Sequence, residues 1–306
     1  MTMKTSITSR QTDRAADLIR ERVRKMADVS SEEFQLFLER GGEFQDDAEA
    51  SIRRLMQRTV HTDERVSSAW AYPPEYEYVP VEKQIAALAE IFGLDASRAI
   101  VIAKTLPKLP EGTEGYFAWP KVQALANRHF KSVTNPAEQD CMAAQLVLDK
   151  IAASRPFYSW RRGQIRPEQF RVHPRTAHAI KLLGDRQDGD FIIAAGQLGL
   201  LYRGCSVNLA RDLFVGSERP PEAMIPGDEF GFETVAGGSV ALTSNRFVRW
   251  DQLHVDLPGN EFSDDGDEVF ALAPFLHFRD DEVEFASHDV SVPYGRYGSA
   301  SGRLPQ

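Results

Sequence analysis

The sequence has little cysteine and no long apolar run near its start, and both absences narrow the kind of protein it encodes. Its two cysteines, Cys141 and Cys205, are too few for a disulfide framework and lack the short-range partners of a zinc site. We therefore expect free thiols in a reducing compartment. The stretch from Met1 to Met26 contains no apolar segment of the ~7 residues that a secretory signal needs, which favours a cytoplasmic protein.

The sequence also lacks the motifs that define an activity. It contains neither a G-x-S-x-G nucleophile elbow nor an H-E-x-x-H zinc helix, and we assign it no enzyme class. His254, His277 and His288 allow several catalytic sets with nearby acids, and nothing in the sequence selects one. His254, Asp256 and Glu261 have side chains that can bind a metal ion. The alternation of side chains along a β-strand places only His254 and Asp256 on the same face of the predicted strand. The prediction is no metal site and no cofactor.

Helical patterns fill the first half of the chain. Apolar residues recur with a 3.6-residue period from Val81 to Phe92, where Gly93 ends the helix. Thr134-Asn135 precedes the longest helix, Pro136 to Ser154, which begins with proline at a favoured position. Further helices are predicted over Ser31 to Arg40, Asp46 to Val60 and Asp95 to Lys104, and from Trp119 onward.

After Pro156 the pattern changes to short strands with two helices among them. The helices are predicted over Arg175 to Leu183 and Ser206 to Phe214. Strands are predicted at Phe191 to Ala195, Gly199 to Tyr202, Ser239 to Thr243, Leu253 to Leu257, Val269 to Phe278 and Val283 to Ala286. Helices followed by strands indicate an α+β protein. We predict a helical region over 1–155 and a mainly antiparallel sheet region over 156–306, with a boundary that also allows one compact unit.

Charge is distributed unevenly along a chain of net charge −9. Residues 155–186 carry eight basic and two acidic side chains, whereas residues 251–289 carry twelve acids and one arginine. The basic residues alternate with Phe157, Tyr158, Trp160 and Phe170, a composition that suits single-stranded nucleic acid. The alternative is that this segment docks onto the acidic segment of the same chain or of a neighbour. The negative net charge favours the second interpretation.

Four short strings near the C-terminus carry a resemblance to a known family. They are Leu201 to Gly204, Pro226 to Phe230, Ala241 to Ser244 and Asp280 to Phe285. In this order they resemble the Arg, Ser-Thr-Ser and Glu-x-Glu pattern of ADP-ribosyltransferases. The resemblance implies NAD as cofactor, a phosphate-binding Arg203, Ser244 at the nicotinamide ribose, and Glu282 stabilising an oxocarbenium-like transition state. Leu242-Thr243-Ser244 and Asp280 depart from that pattern.

A second resemblance covers mainly residues 110 to 306. The segments Arg246 to Phe262, Tyr297 to Gly302 and Leu304 to Gln306 are similar to segments of functionally uncharacterised bacterial proteins. This resemblance implies a bacterial cytosolic setting and no particular activity.

The functional prediction from these observations is a non-enzymatic binding or interaction protein, whose partner is another protein or a second copy of the chain. The expected contact surfaces are the aromatic segment from Trp70 to Tyr78 and the basic segment, with binding residues Trp160, Arg161, Arg162, Arg166 and Arg171. NAD-dependent ADP-ribosyl transfer and single-stranded nucleic-acid binding through residues 155–186 are the alternatives, and a membrane partner is not expected.

Overall fold

The chain folds as an α+β protein, as the sequence predicts. The computed structural model describes residues 65–69, 71–72, 76–160, 165–215, 229–244, 254–263, 269–279 and 282–304. The helices predicted over 31–40 and 46–60 lie outside these residues. Residues 61–306 form one compact unit, and its hydrophobic core draws side chains from both sides of residue 155.

Seven helices are present among the described residues, four of them before residue 155. None of the described helices is both long and apolar enough to cross a lipid bilayer. Their bounds are α1 Val81–Phe92, α2 Ser97–Ala103, α3 Val122–His129, α4 Pro136–Ser154, α5 Pro174–Arg186, α6 Val207–Val215 and α7 Thr234–Thr243.

Eleven strands of the described residues form two sheets. Their bounds are β1 Gly115–Pro120, β2 Phe157–Ser159, β3 Phe170–Val172, β4 Phe191–Gln197, β5 Glu229–Gly231, β6 His254–Asp256, β7 Asn260–Phe262, β8 Leu272–Arg279, β9 Glu282–Asp289, β10 Tyr297–Ser299 and β11 Ser301–Arg303. The four-stranded sheet has the order β1-β4-β11-β5 and is antiparallel throughout.

The seven-stranded sheet contains the path β10-β6-β8-β7-β3, with β9 beside β8 and β2 beside β9. Its β10–β6 and β2–β9 pairs are parallel, and its other pairs are antiparallel. Only Ala300 separates β10 from β11, and its amide donates to the Asp256 carbonyl oxygen while its own carbonyl accepts from Phe232. One extended segment, Tyr297 to Arg303, therefore belongs to both sheets.

The helix α7 lies at the centre of the fold and is buried from Thr234 to Ala241. Its sequence has no polar face, because α4 and both sheets contact it. A helix that is apolar all round lacks the 3.6-residue pattern by which surface helices are recognised. The strand predicted over Ser239 to Thr243 was wrong for this reason, and the C-terminal region has three helices among its described residues rather than two.

Two further differences from the predicted elements have local causes. The predicted strand from Gly199 to Tyr202 is wrong, because this segment is a turn. The Gln197 side-chain oxygen holds it by accepting from the amides of Gly199 at 2.7 Å and Leu201 at 3.3 Å.

The strand β1 was not predicted. All but one of its residues are buried, so it shows no alternation of apolar and polar side chains.

A stretch of backbone from Tyr76 to Pro80 crosses β1 at a position where the strand has no side chain. A Cβ at Gly115 would lie 2.0 Å from the Tyr78 ring, so only glycine admits the tyrosine there. The Tyr78 hydroxyl accepts from the Tyr116 amide at 2.9 Å. Tyr72 and Tyr76, which also pack against the core, stack on each other with ring centroids 4.4 Å apart. These tyrosines make contacts within the chain.

We expect Gly238→Ala to lower the free energy of unfolding by about 1–3 kcal/mol, because the added methyl group overpacks the interface between α7 and α4. A Cβ at Gly238 would lie 2.4 Å from Cγ1 of Val147. The matched control is Gly184→Ala in α5, where a Cβ meets nothing within 4 Å and helix propensity favours alanine by about 0.5–1 kcal/mol. Urea unfolding of both variants measures the difference. Equal stabilities would contradict this packing.

Candidate functional site

A row of polar and aromatic side chains crosses one face of the seven-stranded sheet. Alternate residues of a strand share a face, so His254 and Asp256 of β6 lie on one face while Val255 lies in the core. The register places Tyr297 of β10 and His277 of β8 on either side of His254. The sequence predicted that His254 and Asp256 share a face, and the structure confirms it.

His288 of β9 joins this pair from two strands away. It is opposite Ala273 of β8, whose small side chain leaves room for the imidazole to extend over β8 toward β6. The His288 imidazole thereby reaches Asp256, with Nε2 2.9 Å from Oδ1. This contact depends on strand register and is not visible in the local sequence around either residue.

The Asp256 carboxylate is the centre of the cluster and is completely buried. Its Oδ1 lies 3.2 Å from Nε2 of His254 in addition to the His288 contact. Its Oδ2 accepts from the Ser299 hydroxyl at 3.4 Å. Burial alone raises the pKa of Asp256, but the charge of the facing His288 and the close approach of both imidazoles hold it below its ordinary value. The carboxylate is therefore ionised at neutral pH.

The contacts of His288 favour its positively charged form. Its Nδ1 lies 2.9 Å from the backbone carbonyl oxygen of Asp289, and its Nε2 faces the Asp256 carboxylate. Both neighbours are acceptors, so both ring nitrogens act as donors. Burial lowers the pKa of His288, yet the Asp256 charge and these hydrogen bonds outweigh it and raise the pKa overall.

His254 is neutral at the same pH. Its ring stacks on Tyr297, with centroids 3.5 Å apart and planes 15° apart, and lies 3.8 Å from the Phe275 centroid. Burial between these rings lowers the pKa of His254 to about 4, although Asp256 acts in the opposite direction. The cluster thus combines one anion, one cation and one neutral imidazole.

The cluster has the geometry of a ligand set for a metal ion. One ligand atom from each of His254, Asp256 and His288 lies within 4.8 Å of the other two. Neighbouring ligands around an ion at ~2.1 Å are about 3.0–3.4 Å apart; the His254 distance of 3.2 Å lies in this range and the His288 distance of 2.9 Å lies just below it. Ligating histidines usually donate their other nitrogen to a carbonyl or carboxylate, as His288 Nδ1 does.

The polar face continues outward from this cluster toward solvent. The centroid of His277 lies 5.4 Å from that of His254, and its Nδ1 is 3.8 Å from Oε2 of Glu284. On the other side, the Tyr294 ring packs 4.5 Å from Tyr297 and is largely exposed. The buried cluster is therefore bordered by partly exposed groups that donate and accept hydrogen bonds.

Glu261 is a ligand type close in sequence to His254 and Asp256, but its side chain does not lie with theirs in the structure. Its carboxylate accepts from Arg171 Nε at 2.7 Å and from Arg211 Nη1 at 3.4 Å. Burial raises the pKa of Glu261, but these two arginines lower it below its ordinary value. This ion pair links the basic and acidic segments of the chain, as the docking interpretation predicts.

The three residues implied by the transferase resemblance lie on different elements. Arg203 is exposed in the turn after β4, Ser244 ends α7 and is buried, and Glu282 begins β9. Among the described residues, no hydrogen bond or ion pair joins any two of them. Their roles toward NAD stay predictions.

The predicted binding residues fall into three groups. Arg161 and Arg162 lie outside the described residues. Trp160 and Arg166 are exposed, as a contact surface requires. Arg171 pairs with Glu261 and also lies over the Phe270 ring, 3.8 Å from its centroid. A role of these residues in binding another molecule stays a prediction.

Other cations of residues 155–186 have partners within the chain. Arg155 donates to the Ala241 carbonyl at 2.8 Å, and Arg175 donates to the carbonyls of Glu229 and Phe214. Lys181 pairs with Asp185 one helical turn away. Part of the positive charge that suggested nucleic acid is thus used to hold the fold together.

Comparison of the sequence and structure with protein-family models, curated proteins and solved structures finds no significant match.

Proposed function

We propose that this chain binds a divalent first-row transition metal ion through His254 Nε2, Asp256 Oδ1 and His288 Nε2. The observation that supports the proposal is the convergence of one ligand atom from each of these three residues within 4.8 Å on one sheet face, with Asp256 Oδ1 3.2 Å from His254 Nε2 and 2.9 Å from His288 Nε2. Their strands hold them in place through backbone pairing, and the Nδ1 contact of His288 with a carbonyl oxygen fixes the orientation of that ring.

The donor set selects the class of ion. Two imidazoles and one carboxylate suit zinc, iron, cobalt or nickel, whereas calcium and magnesium prefer oxygen ligands alone. Three protein ligands leave at least one coordination position for water or another small ligand, as in catalytic rather than structural zinc sites. The proposal therefore includes an ion that remains able to bind a further molecule.

The sequence predicted a binding protein without a metal site. Our proposal keeps the first part of that prediction and replaces the second. The competing interpretation of the cluster is a metal-free ion pair, in which His288 and Asp256 neutralise each other inside the protein. The two interpretations differ in what happens to the His288 proton when metal is added.

Calorimetric titration of the full chain with Zn²⁺ tests the proposal. We expect a single ion to bind with a dissociation constant at or below about 1 μM. Binding releases a proton from each chain in which His288 is protonated, because His254 is already neutral and Asp256 is already ionised. Titrations in two buffers of different ionisation enthalpy measure that proton.

The affinity rises with pH until the raised pKa of His288 is passed, since fewer chains then have a proton to displace. Titration with Ca²⁺ is the control and should give no binding heat. Absence of Zn²⁺ binding at pH 8 would leave the cluster as an internal ion pair and refute the proposal.

A further inference from the structure

The second unusual group of the fold is a buried arginine on the four-stranded sheet. Arg303 of β11 lies opposite Ala195 of β4 on one side and Glu229 of β5 on the other. Only 4% of its surface is exposed. Arginine is rarely buried unless a carboxylate or another acceptor pairs with it.

The Arg303 guanidinium has no such partner among the described residues. Its Nη2 is inaccessible to solvent and makes no hydrogen bond, and no ion pair to the side chain is present in this part of the chain. Leaving a buried charge uncompensated is strongly destabilising. An acceptor from outside the described part of the chain would satisfy the Nη2 group.

Two carboxylates lie near Arg303 in the sheet, and both accept hydrogen bonds from groups other than its guanidinium. Glu229, the cross-strand neighbour of Arg303, accepts from the Tyr202 hydroxyl at 2.8 Å and from the Ser301 hydroxyl. Glu114, immediately before β1, accepts from the Tyr72 hydroxyl and from the Leu198 amide at 3.2 Å. Hydroxyl and amide groups thus hold both acids, and the guanidinium remains available.

The guanidinium lies against a turn whose backbone leaves space for it. Gly112, in the turn from Pro110 to Thr113, has φ +75°, a conformation that glycine adopts without strain. A Cβ at this position would lie 3.1 Å from Arg303 Nη2. Any side chain at residue 112 would therefore press on the charged group, and glycine lets the turn pack closely against it.

We propose that Arg303 is the cationic centre of a binding site for a small oxyanion, either a carboxylate or a phosphate group, next to the turn at Gly112. The planar guanidinium presents parallel N–H donors that match two oxygens of such a group. A ligand carrying this group supplies the missing acceptor. The site is separate from the proposed metal ligands and is tested without metal.

Thermal unfolding and calorimetric titration of the full chain test the site, with sodium phosphate and sodium acetate as probes. Sodium chloride at matched ionic strength controls for a general salt effect. We expect one probe or both to bind saturably and raise the Tm by about 3 °C at ten times the dissociation constant. A response to phosphate alone identifies a phosphate group, and a response to acetate alone identifies a carboxylate.

Arg303→Met should abolish the saturable response and leave the Tm without anions equal to or above that of the parent chain, because an unpaired buried charge is removed. Arg303→Lys retains the positive charge but lacks the two parallel N–H donors of the guanidinium, so it should bind the anion at least tenfold more weakly. Arg296→Met, at an exposed arginine, should respond like the parent. A response no larger than that to chloride, or one that survives in both Arg303 variants, overturns the proposal.

Discussion

Replacing His288 with alanine lowers the affinity for Zn²⁺ at least 100-fold, whereas His277→Ala changes it by less than about threefold. Loss of one of three protein ligands removes a metal–nitrogen bond, and 100-fold corresponds to about 2.7 kcal/mol. His277 is the matched control, because it lies on the same sheet face and contacts the His254 ring without belonging to the ligand set. Calorimetric titration of both purified variants gives the two constants.

The circular dichroism spectrum of each variant establishes that the sheet has formed before the constants are compared. Co²⁺ offers a second readout, since its visible absorption reports the number and type of ligands. The spectrum should change in His288→Ala and remain unchanged in His277→Ala. If both variants lost affinity equally, the ion would not be held by the set we propose.

The metal-free protein loses on the order of 3 kcal/mol of unfolding free energy between pH 6.5 and pH 4 through His254. The pKa of this residue is about 4 in the folded chain against an ordinary 6.5. In that interval the unfolded chain binds a proton that the folded chain excludes, so stability falls as the pH falls. The cause is burial of the imidazole between Tyr297 and Phe275.

Urea unfolding at several pH values in the presence of a chelator measures this loss. His254→Gln should remove this loss between pH 6.5 and 4, because the substituted side chain does not titrate. His178→Gln, at an exposed residue of α5, should retain the profile of the parent chain. An unchanged slope in His254→Gln would assign the acid sensitivity to other groups, Asp256 among them.

The elements that sequence predicts well are those whose ends are set locally. The helices α1 and α4 have the predicted bounds, since Gly93 terminates the first and Asn135 accepts from the Ala137 amide at the start of the second. α7 and β1 are buried nearly throughout, so neither shows a one-sided apolar pattern, and their identity depends on neighbours far away in sequence.

The candidate site likewise has one part that the local sequence predicts and one part that depends on strand pairing. The shared face of His254 and Asp256 follows from strand alternation alone, whereas the contribution of His288 requires the β6–β8–β9 register. Glu261 follows His254 closely in sequence, but Arg171 and Arg211 hold it elsewhere. Nearness along the chain does not bring Glu261 to His254 and Asp256, because the distances between side chains depend on strand pairing.

The segment from Tyr297 to Arg303 has a consequence for how the chain reaches this structure. Ser301 pairs with Gly231 and with Gln197, while the adjoining strand β10 completes the sheet that carries the histidines. Pairings of such long sequence separation require the closure of large loops before any contact energy is gained. Neither sheet has its full set of strands until this segment docks, and we therefore expect the closure of these large loops, rather than helix formation, to limit the rate of folding.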